Sequence, residues 1–211
     1  MKIIEPSVEL IDAVNPEEVL KKIERCGRVC YQSKPRDDSA EQFVRMLIKS
    51  GHESVLEHVS LTFHIICDRA IQNELVRHRL ASFSVESTRF VKYDKLTIIN
   101  NNPDLNNFIE NNERMYRLLL MTDYPPEIAR TILPLCLKTE LFMTANLREW
   151  RHILKLRTAK AAHPQMRFIA GQILSIFKEK LPVIVEDIGE LIKNVNDRKS
   201  MRYERHQCDK F

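Results

Sequence analysis

Leu61-Thr62-Phe63-His64-Ile65-Ile66 alternates apolar with more polar side chains and is rich in β-branched and aromatic residues, the pattern of a half-buried strand. Asp68 follows as a helix cap, and Ile71 and Leu75 repeat at helical spacing toward Arg77. Upstream, Asn15-Pro16-Glu17-Glu18 opens a helix with a cap, a first-turn proline and two acids, and Val19, Leu20, Ile23 and Cys26 form its apolar stripe. Ser39 is expected to cap a second helix bearing Phe43, Val44, Leu47 and Ile48, with Gly51 ending it. Downstream, a second strand is expected near Lys95 to Asn100, followed by a turn at Asn100-Asn101-Asn102-Pro103-Asp104. The second half reads as nearly all helical. One helix starts at Pro125-Pro126-Glu127 and is broken by Pro134, and a long one runs from Thr139 to Leu156. Another starts at Pro164, with Ile169, Ile173, Ile176 and Phe177 as its stripe. The last starts at Pro182 and carries Ile184, Ile188 and Ile192. From Asn196 the chain is polar and is expected to form a mobile tail. Strands followed by helices, with no repeat or linker, make residues 1–211 a single α+β domain with a helix-rich C-terminal half.

With 211 residues, 44% hydrophobic and 29% charged, the chain can bury a sizeable core and is not composed like a disordered one. Only 4 glycines are present, which disfavours a glycine-cradled phosphate site and favours grip by side chains. The formal charge of +4 suits anionic substrates as well as nucleic acid, but acids are interspersed with the bases, against a nucleic-acid interface. No apolar run approaches a membrane span, and no signal-peptide core follows Met1, so a cytoplasmic protein is expected. Five cysteines at irregular spacing read as reduced thiols. Cys26 and Cys30 have no second pair to complete a zinc site, so no metal is expected.

The densest chemical signal is Arg77-His78-Arg79-Leu80-Ala81-Ser82-Phe83-Ser84-Val85-Glu86-Ser87-Thr88-Arg89. A solvated helix face would pair its bases with acids at i+4, yet this stretch has one acid, Glu86, and interleaves hydroxyls with apolar residues. Arginine forks beside hydroxyls and loop N–H groups are what an anionic phosphate requires. In Gly51-His52-Glu53-Ser54-Val55-Leu56-Glu57-His58 the two histidines are six apart, about 120° around a helix, so they do not converge on one ion as a zinc-protease pair does.

Arg-His-Arg, seven residues, then Ser-x-Arg resembles the signature of the ThyX-type flavin-dependent thymidylate synthases, matched by Arg77, His78, Arg79, Ser87 and Arg89. Cys30-Tyr31-Gln32-Ser33, the Gly51 to His58 segment with Phe63, Asn146-Leu147-Arg148-Glu149-Trp150-Arg151-His152, Arg157 and His163-Pro164-Gln165-Met166-Arg167 resemble further family segments in family order. The resemblance covers about residues 26–180. It implies a twisted antiparallel sheet flanked by helices, assembled as a homotetramer with active sites at subunit interfaces. It also implies reductive methylation of dUMP to dTMP, with 5,10-methylenetetrahydrofolate giving the carbon and NADPH-reduced FAD the hydride. None of the five cysteines sits in a recognisable nucleophile setting, which agrees with chemistry that does not attack uracil through a thiol.

Residue by residue, the resemblance places Arg77, His78, Arg79, Ser54 and Arg157 against FAD, and His52 in the catalytic pocket near flavin and folate. Ser87 and Arg89, with N–H groups around Glu86 to Thr88, would hold the dUMP phosphate, and Glu74 and Arg77 would join the substrate site. Arg167 would face the uracil and stabilise its enolate-like form. Arg148 and Arg151 read equally as salt-bridge partners of Glu149 or Glu140, and Tyr31, Trp150 and Phe90 as core. Three departures stand out. Val85 and Ala161 replace polar residues of many relatives, and Glu140 replaces an arginine that helps hold the phosphate, leaving Lys138 or Arg148 as substitute cations. The rival readings are a basic nucleic-acid-binding module, a same-fold flavoenzyme such as a pyrimidine hydroxymethylase, and a purely structural protein.

Overall fold

Residues 1–99 and 102–189 are described by the computed structural model. Strands β1 (Lys2–Ile3) and β2 (Ser7–Leu10) precede helices α1 (Pro16–Tyr31) and α2 (Ala40–Lys49). A 3-10 helix, Glu53–His58, leads into β3 (Ser60–Asp68), α3 (Arg69–Leu75), β4 (Ala81–Val85) and β5 (Thr97–Ile98). Then come α4 (Asn106–Met121), α5 (Pro126–Ala129), β6 (Lys138–Asn146), α6 (Leu147–Arg157), α7 (Pro164–Lys180) and α8 (Pro182–Val185).

The alternation that begins at Leu61 extends over the whole of β3. That strand pairs antiparallel with β6 along its full length, Ser60 opposite Asn146 and Asp68 opposite Lys138. With β2 and β4 on the flanks, the sheet order is β2-β3-β6-β4, antiparallel throughout. Leu61, Phe63, Ile65 and Cys67 share a buried face with Leu141, Met143 and Ala145. The other face carries a Thr62–Thr144 hydroxyl pair at 3.0 Å and His64 stacked on Phe142 at 4.7 Å. Helices cover the apolar face. Trp150 of α6 packs edge-on against Phe63 at 4.9 Å and donates its indole N–H to the Leu61 carbonyl at 3.0 Å, while Phe177 of α7 lies 5.9 Å from Phe63. A smaller core gathers Leu96, Ile98, Ile109, Tyr116, Ala129 and Leu137, joined to the N-terminus by the parallel β1–β5 pair.

The expected long helix from Thr139 to Leu156 is overturned. Its first part is the central strand β6, and α6 begins only at Leu147, capped by the Asn146 side chain on the Glu149 N–H at 2.9 Å. Glu140, Leu141, Met143 and Ala145 are good helix formers, but Thr139, Leu141, Met143 and Ala145 are buried at period two. Pairing on both edges overrides the local preference. The strand expected near Lys95 contracts to two residues. The helix from Pro126 has one turn and passes into a 3-10 segment, Arg130–Ile132, before Pro134. Asp68 caps α3 through the Ile71 N–H at 2.8 Å. Ser39 stands at the start of α2 but turns its hydroxyl to Glu24 and the Arg36 carbonyl instead of the helix. Tyr31 and Phe90, expected in the core, are 50% and 76% exposed; Trp150 alone of the three is buried. Of the last helix, Ile184 and Ile188 are buried, while Ile192 and the tail from Asn196 lie outside the described residues.

Candidate active site

The Arg77 to Arg89 motif straddles β4. Arg77 and His78 follow α3 in a tight turn, their N–H groups donating to the Glu74 and Leu75 carbonyls. Arg77 and Arg79 are exposed, and among the described residues neither forms an ion pair. His78 points inward and is 6% exposed. Arg157, from the end of α6, donates Nε–H to His78 Nε2 at 3.0 Å and grips Glu74 through Nη1 at 2.9 Å. An accepting Nε2 puts the imidazole proton on Nδ1, which lies 3.4 Å from Glu149 Oε1. His78, Glu149 and His152 bring ligand atoms within 4.8 Å of one another. With Nδ1 protonated and Nε2 held by a cation, however, His78 presents no lone pair to a metal there. The cluster is a hydrogen-bond relay that fixes the turn.

Burial first, then the charges of Arg157 and His152, push His78 down from 6.5 to about 4. Between those values the unfolded chain takes up a proton that the folded chain refuses, so stability is full above about pH 6.5 and is lost as pH falls toward 4. Between about pH 7 and about pH 5 this group accounts for about 2 kcal/mol of lost stability. Urea unfolding of wild type and His78→Asn at the two pH values measures it. An identical pH slope in both would remove His78 as the source.

At the far end of β4 a different set forms. The Glu86 N–H continues the ladder to the Glu140 carbonyl at 3.0 Å, so it is not available to a phosphate. Its carbonyl accepts from Arg69 at 2.8 Å, and its carboxylate accepts from Tyr93 at 2.5 Å and Lys138 at 2.9 Å. These donors hold the Glu86 carboxyl below its ordinary range against the opposing effect of burial. Ser87, Thr88 and Arg89 then leave the sheet. Among the described residues the N–H groups of Ser87 and Thr88 donate to no protein acceptor, and Arg89 N–H closes on Ser87 Oγ at 3.3 Å. The Arg89 side chain pairs with Glu127 at 2.9 Å. Val85 packs partly against the main core, beside Glu86, whose carboxylate oxygens accept from Tyr93 and Lys138.

His52 follows Gly51, whose φ of +74° ends α2 in the left-handed region that glycine favours. Its Nδ1 lies 2.8 Å from the Tyr31 hydroxyl, and Ser54 is exposed in the next turn. The 3-10 helix that carries Ser54 enters β3 at Ser60. An open groove of about 340 Å³ at that same end of the sheet is lined by Arg79, Ser82, Glu57, Thr144 and Asn146. Arg148, half-exposed, pairs with Glu57 beside this groove. Arg151 is buried and pairs with Glu53 and Asp187, not with Glu149 or Glu140. On α7, Gln165 ties the first turn to Asp68 at 2.7 Å, and the buried Nε of Arg167 has no hydrogen-bond partner among the described residues. Strand β4, five residues or about 17 Å at 3.3 Å each, lies between Arg79 and Ser87. The two halves of the motif therefore stand at opposite ends of one strand.

A family model described as thymidylate synthase complementing protein matches residues 9–183. A flavin-dependent thymidylate synthase of Corynebacterium diphtheriae is 32% identical over 194 residues, covering 78% of this chain and 77% of the relative. The chain belongs to the flavin-dependent thymidylate synthase family. It is thereby an enzyme of a methyl-transferring class. Another flavin-dependent thymidylate synthase, from Thermotoga neapolitana, is 30% identical over 212 residues and covers 89% of this chain and 95% of the relative. A solved structure described as the UMP/dUMP methylase PolB from Streptomyces cacaoi, bound with 5-Br dUMP, superposes with a TM-score of 0.74. It has 25% sequence identity and covers 88% of this chain and 96% of that chain. The antiparallel sheet with flanking helices is thus the synthase-family fold. Among the described residues no helix is long and apolar enough to cross a membrane.

Several residues that organise the site escaped the sequence reading. Tyr93 and Arg69, which clamp Glu86, lie outside any motif. Glu149 and His152 lay within the recognised Asn146 to His152 segment but offered no spacing signal toward His78, which only the crossing of α6 over the α3–β4 turn brings near.

Proposed function

We propose that the chain methylates dUMP to dTMP, with the two ends of β4 serving two different anions. The observation that carries this reading is the division of the motif. Exposed, unpaired Arg77 and Arg79 stand at one end, and Ser87, Thr88 and Arg89, with two free N–H groups, stand at the other. Two unpaired guanidinium groups suit the pyrophosphate of FAD, with Ser54 and His52 at the same end of the sheet and the relay of His78, Arg157 and Glu74 fixing the turn behind them. Hydroxyls, N–H groups and Arg89 suit the dUMP phosphate. The unpartnered Nε of Arg167 suits a group accepting at the uracil.

When bound, NADPH-reduced FAD supplies the hydride and 5,10-methylenetetrahydrofolate the carbon. The chain binds and orients these groups, and Arg167 supplies a fixed positive charge where the uracil carbonyl becomes enolate-like. A cation placed there stabilises the transition state more than the ground state. Because one chain keeps the two anion sites at opposite ends of β4, the reading includes a homotetramer whose copies complete each other's sites.

The visible absorption spectrum of the purified protein, repeated after adding dUMP, tests the proposal. Flavin bands that shift with dUMP are the expected result, followed by dTMP as the product in the presence of the folate and NADPH. A colourless protein that takes up no added FAD would overturn it. Similarity to a protein described as a UMP/dUMP methylase makes UMP the second nucleotide to titrate.

A further inference from the structure

We infer that Arg130 is a second phosphate-binding cation, taking the charge that Glu140 cannot supply. This rests on the proposal that Ser87 to Arg89 receive the nucleotide phosphate. A phosphate monoester at neutral pH carries nearly two negative charges, and binding it calls for more than one cation.

The cations near the Ser87 loop are mostly committed. Lys138 is held by Glu86 at 2.9 Å and Glu140 at 3.3 Å. Arg69 donates through Nη1 to the Glu86 carbonyl, and its Nε and Nη2, without a hydrogen-bond partner among the described residues, are buried from solvent. Arg89 itself carries Glu127 at 2.9 Å. Arg130 differs: it is exposed, it has no carboxylate within 4.0 Å among the described residues, and its Nη1 lies 3.5 Å from Thr88 Oγ1. Its backbone is fixed from below, since Ala129 is fully buried in the smaller core and the Leu133 N–H closes the turn on the Arg130 carbonyl at 3.1 Å. Glu127 stands three residues before Arg130 on the same short segment. The segment thus presents one cation directly to the Thr88 hydroxyl and one carboxylate to Arg89.

That arrangement assigns Glu127 a role as well. It holds the Arg89 guanidinium as a carboxylate stand-in until a phosphate displaces it, so part of the binding energy of Arg89 is spent on the exchange. The exposed ion pair is weak enough to be displaced. Arg130 needs no such exchange. An arginine suits the position because its planar fork can keep the Thr88 contact while turning a second N–H toward the phosphate.

The test is titration of dUMP into the FAD-loaded protein, followed by the flavin absorbance, for wild type, Arg130→Gln, Glu127→Gln and Arg89→Ala. Arg130→Gln is expected to weaken dUMP on the order of tenfold with FAD affinity unchanged. Glu127→Gln is expected to tighten dUMP several-fold, an effect that a merely structural role for this segment would not produce. Wild-type dUMP affinity in Arg130→Gln, with Arg89→Ala weakened, would overturn the role of Arg130 and leave the phosphate reading standing. Unchanged affinity in both would overturn the phosphate reading along with it. Loss of FAD together with dUMP in Arg130→Gln would make Arg130 structural and overturn the inference.

Discussion

Arg167→Ala forms dTMP at least about a hundredfold more slowly than wild type while FAD stays bound, the size of effect seen when one donor to a developing oxyanion is removed. The expectation starts from the side chain itself. Arg167 follows Gln165, which anchors α7 to the end of β3 through Asp68. Its Nε is buried and makes no hydrogen bond among the described residues, although an arginine donor in that position costs free energy unless something accepts from it. A carbonyl that gains negative charge during reaction accepts most strongly in the transition state, so the loss falls on kcat more than on KM. Single-turnover reaction of the reduced, folate-loaded enzyme with dUMP reads the chemical step directly. Near-wild-type rates would remove Arg167 from the chemistry.

Arg151→Met is expected to cost about 3 kcal/mol of folding stability, a typical loss when one partner of a buried ion pair is removed. Arg151 is 1% exposed. Its guanidinium donates to Asp187 at 2.7 and 2.8 Å, to Glu53 at 2.9 Å, and to the Ile184 carbonyl. It therefore joins the 3-10 helix before β3, helix α6 and the end of α8. Hydrogen bonds from Arg151 are the main cause holding the Asp187 carboxyl down at about 2. That contribution is full above the ordinary carboxylate range and is lost as pH falls toward 2. Methionine fills much of the volume but leaves the Ile184 carbonyl without its donor and Glu53 and Asp187 with only the half-exposed Lys155, at 3.9 and 3.1 Å, as a cation. Urea unfolding at neutral pH checks the figure, and a loss under about 1 kcal/mol would rank this network with ordinary surface pairs.

What the linear sequence could say about the fold depended on how much each element settled for itself. Leu61 to Ile66 alternates so plainly that β3 was legible, and Asn15-Pro16 and Asp68 announced their helices through capping chemistry that operates locally. β6 was not legible. Leu141, Met143 and Ala145 are helix formers held extended by neighbours far along the chain, a tertiary effect with no local trace beyond the period-two burial. Tyr31 and Phe90 show the same limit from the other side. Aromatic character suggests the interior, but Tyr31 ends α1 beside His52, and Phe90 lies under the Arg89 guanidinium at 5.4 Å. At the site, residues within the Arg77 to Arg89 motif were legible because the signature is contiguous. Tyr93, Glu127 and Arg130 were not, since each reaches the motif from a segment with its own unremarkable spacing.

Strand β4 acts as a ruler. Its five residues set both the separation and the facing of the two ends proposed to bind anions, and alternate side chains point to opposite faces. A one-residue insertion between Ala81 and Val85 would lengthen the gap by about 3.3 Å and also turn Ser87 and Arg89 to the opposite side of the sheet. Length is therefore constrained there more tightly than composition: Ser84 faces solvent and admits many substitutes, whereas the number of residues does not change.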